Sequence, residues 1–443
     1  MAQKDVKIYG LYLPLKFPEG IAAGSGGSFN LLTIARNGQG KPVLRGTALA
    51  GAIRHALVKD MDFPDEVFFG FASDENQSCG NSALKVPDSL LEFGKKTLPV
   101  RTHHQRNRHT GTVLDKALFT LESCPPGTTA KVVLWLEKGV DNNDDNEDFL
   151  QRIAGLFSEE SGGFSLGGNV ARGIGRAVLQ SPAKWKVFDP SDISSCGEYL
   201  EQRRLVTQQV FLPCDAWEEC HPVASNAQET LCVKFTLTIP RGQDMLVADG
   251  QGNAHQMEPQ RVVFADGKRY WRLPGASLRG LFRSWITRLA ARSGVKVSDS
   301  HDRYEANPKG HTGDNLAWAF MKELAKTKEG KAEARGDIHE NYPVEELFGT
   351  AFMKGKLHIA DAYAPCGREW SEENPFCNEE QLRQHVMLDP ITGGAAGGAL
   401  FDNTVLTSAG SPQFTVVMQV KTPTEPRRRA SCVEFRRPSR RQQ

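Results

Sequence analysis

The sequence predicts an α+β fold built from two tandem copies of one ferredoxin-like domain. Two observations support this fold class. Several short motifs occur twice in the same order, and strand-like and helix-like patterns alternate in each copy as in a ferredoxin-like sheet. With 443 residues, the chain is long enough for two domains that each bury a core.

The repeat consists of four pairs of motifs. GKPVLRGTALAGAIRHAL near the start matches GKRYWRLPGASLRGLFRSWITRL in the second half, which aligns Gly46 with Gly275. DEVFFGFA then matches EELFGTA, and ALKVPDSLL matches KLHIADAYA, which aligns Asp88 with Asp361. RNRHTGTVLDKALF finally matches LDPITGGAAGGALF. Four pairs in one order indicate a duplicated domain.

The elements of each copy follow from local patterns. Each copy opens with a strand-like segment rich in β-branched and aromatic residues, KDVKIYGLYLPL or ETLCVKFTLTIP. A Gly-rich connection leads to a helix, for which we predict Thr47 or Ser277 as N-cap. Later blocks, such as TTAKVVLWLEK and SPQFTVVMQVK, are predicted strands. In the first copy, the helix NEDFLQRIAGLF precedes a glycine loop and the strand RAVLQ, which completes the ferredoxin-like order.

These patterns divide the chain into four parts. The first domain spans residues 1–185, and a polar linker or docking segment spans 186–228. The second domain spans 229–422 and contains a charged surface insertion at about 300–340. A second helix and a second glycine loop are expected after its last strand, but the sequence continues instead into a basic tail, 423–443. We therefore expect a second domain that is truncated at its C-terminal end and a disordered tail.

Composition excludes several classes of protein. No apolar run is long enough to cross a membrane, and the N-terminus lacks the pattern of a secretory signal, so we expect a cytoplasmic protein. The nine cysteines are scattered and predict no disulfide framework. A group of cysteines and one histidine hints at zinc but lacks paired C-x2-C spacing, which favours ordinary buried thiols. Its members are Cys196, Cys214, Cys220, His221 and Cys232.

The charge is distributed unevenly. The formal net charge is +1, yet the stretch KTPTEPRRRASCVEFRRPSRRQQ alone has an excess of six positive charges. The rest of the chain is therefore slightly acidic. A polyanion bound by the folded domains must contact local basic patches, because the overall field does not attract it.

The stretch LGGNVARGIGRAVL is a candidate phosphate-binding loop. In a dinucleotide-binding fold, the glycines follow a strand and begin a helix, whereas here they follow a predicted helix and precede a strand. This order argues against such a fold, and no P-loop motif is present. Two interpretations remain. The glycines either form a tight turn with positive φ angles, or they let backbone amides and two arginines contact an RNA backbone. The candidate residues are Gly167, Gly168, Arg172, Gly173, Gly175 and Arg176.

The ordered set of motifs resembles the RAMP superfamily. The glycine-led helices, FFG and LFG, the HTGTVLDKALF and DPITGGAAGGALF blocks and the LGGNVARGIGRAVL loop carry the resemblance. Within this superfamily, the sequence is similar to the backbone subunits of type III CRISPR effector complexes, in a form with two fused RAMP domains. The resemblance covers most of residues 5–180 and 229–422. It implies two tandem ferredoxin-like (RRM-like) domains with thumb hairpins and insertions.

The resemblance also implies a function and partners. The chain would hold guide RNA (crRNA) against complementary target RNA in antiviral defence. Its other implied partners are further CRISPR effector subunits, and no membrane is implied. In the family, the glycine-led helix lies against the guide RNA backbone, which implies Arg54, Arg279 and Arg283 as phosphate contacts. Arginines on a solvated helix face are the alternative interpretation.

In the family, the TG block belongs to a thumb-like hairpin that wedges between nucleotides. The first copy of this block lies in the most basic patch of the folded domains. The implied RNA-binding residues of this patch are Arg101, Arg106 and Arg108, next to Lys95 and Lys96. The second copy is less basic and offers Arg383, His385 and Asp389.

Many members of the family cut target RNA with an aspartate in the long loop before the glycine-led helix, which implies a divalent metal such as Mg²⁺. The first copy has no acid between Glu19 and Asp60, so we expect it to be inert. The second copy supplies Asp249, Glu258 and Asp266. Glu258 and Asp249 are the implied catalytic and metal-binding residues of a metal-dependent endoribonuclease, and solvated loop acids are the alternative.

Two other functions stay open. One is a stand-alone RAMP endoribonuclease that processes precursor guide RNA, with His103, His104 or His109 as general acid and base. The other is an inactive scaffold that binds guide RNA and leaves the target intact. The duplicated thumb blocks favour a backbone subunit, because regular kinking of RNA needs repeated units and processing needs one site.

Overall fold

The computed structural model describes most of both domains. The described residues are 7–28, 31–57, 65–72, 79–94, 98–103, 119–137, 143–168, 170–210, 214, 216–223, 230–248, 256–295, 297, 342–349, 354–366, 380–408 and 412–421. The predicted insertion at 300–340 and the basic tail at 423–443 lie outside them. No helix in these ranges is long and apolar enough to cross a membrane.

The described residues form helices and many short strands. The helices are α1 (Gly46–Leu57), α2 (Asp65–Phe69), α3 (Asn143–Leu156), α4 (Ile193–Thr207), α5 (Gly275–Arg292) and α6 (Pro343–Phe348), with a 3-10 turn at Val170–Arg172. The strands up to the linker are β1 (Ile8–Phe17), β2 (Gly24–Ser28), β3 (Leu31–Ile34), β4 (Val43–Leu44), β5 (Phe71–Ala72), β6 (Cys79–Gly80), β7 (Leu84–Lys85), β8 (Ser89–Leu90), β9 (Val100–His103), β10 (Phe119–Glu122), β11 (Thr128–Leu136), β12 (Phe164–Ser165), β13 (Arg176–Leu179), β14 (Lys184–Phe188) and β15 (Glu218–Glu219). The strands of the second domain are β16 (Thr230–Thr238), β17 (Asp244–Met245), β18 (Gln256–Met257), β19 (Arg261–Val263), β20 (Arg269–Leu273), β21 (Leu357–Ile359), β22 (Ala362–Pro365), β23 (Glu380–Leu388), β24 (Ala395–Thr407) and β25 (Gln413–Lys421).

The first domain has the predicted ferredoxin-like sheet. Its strands lie in the order β13–β1–β11–β7, and all neighbours are antiparallel. Strand β14 pairs with β1 along the same edge as β13, so residues 184–188 extend the sheet at the start of the predicted linker. The α+β fold class is therefore confirmed.

One face of this sheet carries the core of the first domain. Alternate residues of β1 point into it, and the apolar stripe Leu49, Ile53 and Leu57 of α1 packs against them. Helix α3 covers the same face with Phe149 and Ile153. Burying side chains of this size stabilises the fold by about 1.5–3 kcal/mol each.

The linker covers the opposite face of the first sheet. Helix α4 begins after Asp192, whose carboxylate accepts a hydrogen bond from the Ser195 amide at 2.9 Å. Tyr199 of α4 then packs edge-on against Trp135 of β11, with ring centroids 5.3 Å apart. The described part of the segment 186–228 thus packs against the first domain.

The second domain repeats three of these four strands. Its sheet has the order β16–β25–β21, which corresponds to β1–β11–β7. In the described residues, no strand lies beside β16 on its other edge. Matching the registers aligns Leu231 with Tyr9 and Val233 with Leu11. Leu231 and Val233 are 54% and 40% exposed, whereas Tyr9 and Leu11 are 1% and 0% exposed.

The duplication extends to the start of each glycine-led helix. The Gly46 amide donates to Asp88 at 2.8 Å, and the Gly275 amide donates to Asp361 at 2.9 Å. A Cβ on Gly46 would lie 1.8 Å from the Val86 carbonyl oxygen, and one on Gly275 would lie 2.1 Å from the equivalent oxygen of the second domain. Glycine is therefore required by close approach of the backbone at both sites.

The predicted N-caps Thr47 and Ser277 are wrong. Helix α1 begins at Gly46, and α5 begins at Gly275 after Pro274, which offers no side-chain cap. The carboxylates that bind the first amides come from a strand end about 40 residues or more further along the chain, so local sequence could not show them.

Candidate nucleic-acid interface

A long hairpin of the second domain extends into solvent. Strands β23 and β24 pair over most of their length, and every residue of β23 after Glu380 is exposed. Its turn carries Ile391, which is 92% exposed. The neighbouring exposed apolar residues near the apex are Val386, Met387, Leu388 and Leu400. An ordered apolar apex of this kind can insert between stacked bases.

The turn is held by one carboxylate. Asp389 accepts hydrogen bonds from the amides of Ile391 at 2.9 Å and Thr392 at 2.8 Å. The Gly393 amide closes the turn on the Asp389 carbonyl at 2.9 Å, with Gly393 at φ +66°. The hydrogen bonds from the Thr392 and Ile391 amides lower the pKa of Asp389. Asp389 therefore shapes the apex that presents Ile391.

A histidine and a phenylalanine stack across the paired strands of the hairpin in both domains. His385 lies opposite Phe401, with ring centroids 5.0 Å apart and planes at 15°. In the first domain, His103 lies opposite Phe119, at 5.2 Å and 18°. The phenylalanine follows the histidine by 16 residues in both copies, so this spacing was a signal that our sequence analysis missed. The segments that connect the two stacked residues therefore contain the same number of residues in both copies.

In the first domain, the described residues of this region end at His103 and resume at Phe119. His104, Arg106, Arg108 and His109 lie outside the described residues, as do Lys95 and Lys96. Their predicted RNA-binding or catalytic roles stay predictions.

The structure gives Arg101 a different role from the predicted RNA contact. Its guanidinium pairs with Asp361 at 2.7 Å, and the two side chains are 6% and 1% exposed. Arg101 belongs to the first domain and Asp361 to the second. Because the guanidinium is buried in an ion pair, it does not present a charge to a phosphate, and it joins the domains instead.

The arginines of the glycine-led helices contact aromatic rings. The guanidinium carbon of Arg54 lies 5.9 Å from the centre of the Phe69 ring. Arg279 lies 5.8 Å from the aligned ring, Phe348, and donates to the Phe348 carbonyl. Arg283 lies one turn further along α5 and is half-buried. Phosphate contacts from these arginines stay a prediction.

The glycine loop packs against the second domain. Gly173 and Gly175 have φ angles of +94° and +90°, as the tight-turn interpretation requires. The Asp361 amide donates to the Gly173 carbonyl at 3.1 Å. A Cβ on Gly173 would lie 2.3 Å from the Asp361 carboxylate, so the loop approaches the second domain closely.

The start and end of this loop contact the first domain itself. The Gly168 amide donates to the Ala22 carbonyl at 2.9 Å, and a Cβ on Gly167 would lie 2.6 Å from the same oxygen. Arg176 pairs with buried Glu19 at 2.7 Å, and burial raises the pKa of Glu19. The backbone of Arg172 lies in the 3-10 turn. The loop thus has a role at the domain junction, and RNA contact by Gly167, Gly168, Arg172, Gly173, Gly175 and Arg176 stays a prediction.

The predicted catalytic acids do not form a metal site in the described residues. Glu258 is exposed and pairs with Arg261 at 3.2 Å, and Arg261 also binds buried Glu380 at 2.6 Å. Asp249 lies outside the described residues, and Asp266 caps a turn through the Lys268 amide at 3.0 Å. No group of three or more His, Cys, Asp or Glu side chains in the described ranges could hold a metal ion. One carboxylate oxygen of Glu258 accepts a hydrogen bond from Arg261, and the metal-binding and catalytic roles of Glu258 and Asp249 stay predictions.

In the described ranges, the cysteine group does not come together as a set of three possible metal ligands. Cys214 and Cys220 are buried thiols. Burial raises the pKa of Cys220 to about 11, which disfavours the thiolate that zinc binds.

The sequence of this chain matches one family model in two regions. The model of the RAMP superfamily matches residues 20–178 and 252–431, which together make up more than half of the chain. No curated protein is significantly similar to it in sequence. Each matched region begins after the first strand of one copy of the repeat and includes the glycine-led helix of that copy. The chain therefore belongs to the RAMP superfamily, whose membership implies a CRISPR-associated, RNA-binding function.

Proposed function

We propose that this chain is a guide-RNA-binding backbone subunit of a type III CRISPR ribonucleoprotein that acts in antiviral defence. The observation that carries this proposal is the duplicated stacked pair, His103–Phe119 in the first domain and His385–Phe401 in the second. Equivalent strand pairs on two copies of one domain suit an RNA that is contacted at regular intervals. Guide RNA, target RNA and other effector subunits are the proposed partners.

The binding mode follows from the exposed groups. The apex around Ile391 would separate adjacent nucleotides, and arginines of α1 and α5 would contact phosphates. Local arginines and lysines would supply these contacts despite the net charge of +1, so the number of phosphates they neutralise would set the dependence of RNA affinity on salt.

The duplication argues against a stand-alone nuclease that processes precursor guide RNA. A general acid or base must reach the reacting atoms, and one site is enough for one cut. His103 instead stacks on Phe119, and His385 does the same in the second domain. The repeated arrangement supports a binding role for these histidines.

Cleavage of target RNA at the second domain is part of the proposal. Glu258 and Asp249 are the proposed catalytic residues, with Mg²⁺ as the proposed metal. Glu258 would have to leave Arg261 before it could act, because the ion pair occupies its carboxylate. If neither acid acts, the subunit is an inactive scaffold that only binds.

The experiment uses the complex reconstituted from the full chain, guide RNA and the other effector subunits. Wild type, Glu258→Ala and Asp249→Ala are incubated separately with complementary target RNA and Mg²⁺. Loss of one cleavage product in either variant supports cleavage by this subunit. Unchanged products in both variants would exclude these residues, and a full chain that carries no guide RNA would contradict the proposed function.

A further inference from the structure

Helix α5 carries an exposed apolar stripe on the side away from its first two arginines. Leu281, Trp285 and Leu289 follow one another at helical spacing and are 53%, 54% and 50% exposed. We call these three residues the α5 stripe. At 3.6 residues per turn, Arg279 and Arg283 lie on nearly the opposite side of the helix. A continuous exposed apolar stripe indicates an interaction surface.

The first domain has small residues in place of this stripe. The alignment of the two glycine-led helices puts Ala52 at the position of Leu281 and Ala56 at the position of Trp285. The connection to the next helix differs between the copies as well. Residues 58–64 join α1 to α2, whereas residues 293–342 join α5 to α6. The domain with the long connection is therefore also the domain with the bulky exposed residues, which points to a contact between the two.

The path of the chain brings the long connection back towards the start of α5. It leaves α5 after Arg292 and ends at α6, whose Phe348 ring lies 5.8 Å from the guanidinium carbon of Arg279. Between Arg279 and Arg292, α5 rises by about 20 Å. The connection must therefore return alongside the helix. Helix α6 lies on the arginine side of α5, and the side with the stripe is exposed.

The connection contains one segment whose sequence pattern matches the stripe. This segment is DNLAWAFMKELAK, residues 314–326, which lies outside the described residues. Its apolar residues Leu316, Phe320 and Leu324 have the same spacing as the α5 stripe. Asp314 before the apolar residues and Lys326 at the end are signals of a helix start and a helix end. The pattern thus predicts a short amphipathic helix.

We propose that residues 314–326 form a helix that packs antiparallel on the α5 stripe. With Phe320 opposite Trp285, antiparallel packing matches the leucines of the two stripes pairwise. The same register brings Asp314 next to Arg288 and Arg292, which are both exposed, so the charges are complementary. The insertion would then support the glycine-led helix from the side opposite its half-buried arginines. This inference does not depend on the proposed function.

The test is site-specific photo-crosslinking in the full chain. The photoreactive amino acid p-benzoylphenylalanine, which is close to tryptophan in size, replaces Trp285. Gly280 is the control position in the same helix, because it is exposed and a Cβ there would meet nothing within 4 Å. Crosslinked peptides are identified by mass spectrometry, and the mass of the crosslinked product distinguishes one chain from two.

We expect position 285, and not position 280, to crosslink within one chain to the peptide that contains residues 314–326. A crosslink from position 285 to a second copy of the chain, to another part of the same chain or to no peptide at all would overturn the inference.

Hydrogen–deuterium exchange gives a second readout that does not depend on the crosslinker. We expect the amides of residues 316–325 to exchange at least tenfold more slowly in the wild type than in Trp285→Asp, which changes the stripe and leaves the segment intact. Gly280→Asp is the matched control on α5 and should keep the slow exchange. Equal exchange in the wild type and Trp285→Asp would contradict the proposed packing.

The same measurement tests the other side of the contact. Phe320→Asp removes the central apolar residue of the segment and should also release it. Ala319→Asp introduces the same residue on the predicted polar side and should keep the slow exchange, which separates lost packing from a lower helix propensity. Equal effects of the two substitutions would contradict the predicted packing face.

Discussion

Arg101 of the first domain and Asp361 of the second form an ion pair at 2.7 Å that is almost completely buried. The same Asp361 carboxylate binds the first amide of α5, and its backbone amide binds the glycine loop. Asp361 therefore binds the start of α5 in its own domain and two groups of the first domain, the glycine loop and Arg101. This arrangement fixes the orientation of the two RAMP domains relative to each other.

We predict that Arg101→Met lowers the free energy of unfolding by about 3–5 kcal/mol, because it leaves the Asp361 charge buried without its partner. Urea denaturation measures this change. The control is Arg45→Met, which breaks the exposed pair with Asp88 and should cost less than about 1 kcal/mol. Similar losses in the two variants would contradict the assigned burial.

Alanine at Gly275 should be strongly destabilising, because its Cβ would lie 2.1 Å from the Ile359 carbonyl oxygen. We expect a loss of more than about 3 kcal/mol in unfolding free energy, since backbone must shift to make room. Gly280 in the same helix has nothing within 4 Å of a Cβ. Gly280→Ala should therefore stabilise the chain by about 0.5–1 kcal/mol, measured in the same denaturation series.

Truncation of one leucine in each sheet should show that the two sheets differ in how deeply this face is buried. Leu11 is fully buried, so Leu11→Ala should lower the unfolding free energy by about 2–5 kcal/mol. Leu231 occupies a similar face of the second sheet but is 54% exposed, so Leu231→Ala should cost less than about 1 kcal/mol. A large loss at Leu231 would show that another element covers this face in solution.

The apex of the second hairpin should matter for RNA and not for stability. Ile391→Asp adds a negative charge where phosphates would pass and removes an apolar wedge, so affinity for a guide–target duplex should fall about tenfold. Its thermal unfolding should not change, because Ile391 is 92% exposed. Ile193→Asp, on α4 and 89% exposed, is the control and should bind RNA normally. Fluorescence anisotropy measures both affinities.

The turn at the apex should loosen in acid. Its hydrogen bonds lower the pKa of Asp389 below the usual 3.8, so the ionised carboxylate stabilises the folded turn. This stability is fully present above the ordinary aspartate pKa and is lost as pH falls through the lowered value. NMR shifts of the Ile391 and Thr392 amides should therefore stay constant above pH ~5 and move below pH ~4. In Asp389→Asn, these shifts should not titrate.

Local sequence patterns were sufficient to predict several structural elements. The apolar spacing of Leu49, Ile53 and Leu57 predicted the buried face of α1, because helical periodicity is a property of neighbouring residues. The duplication predicted that Asp88 and Asp361 are equivalent, and both cap a helix. The candidate RNA-binding site was harder to predict from the sequence. The stacked pairs His103–Phe119 and His385–Phe401 depend on strand register across a hairpin, which the sequence suggests only through equal spacing.

The α+β class, the two copies of one domain and the superfamily of the chain could all be inferred from the amino-acid sequence. These properties follow from repeated motifs and from periodicity within short segments. The role of Arg101 and the glycine loop in joining the domains became evident only from the folded chain, because ion pairs and backbone contacts form between residues far apart in the sequence. Arg101 and Asp361 are separated by 260 positions, and no local pattern in the sequence records their contact.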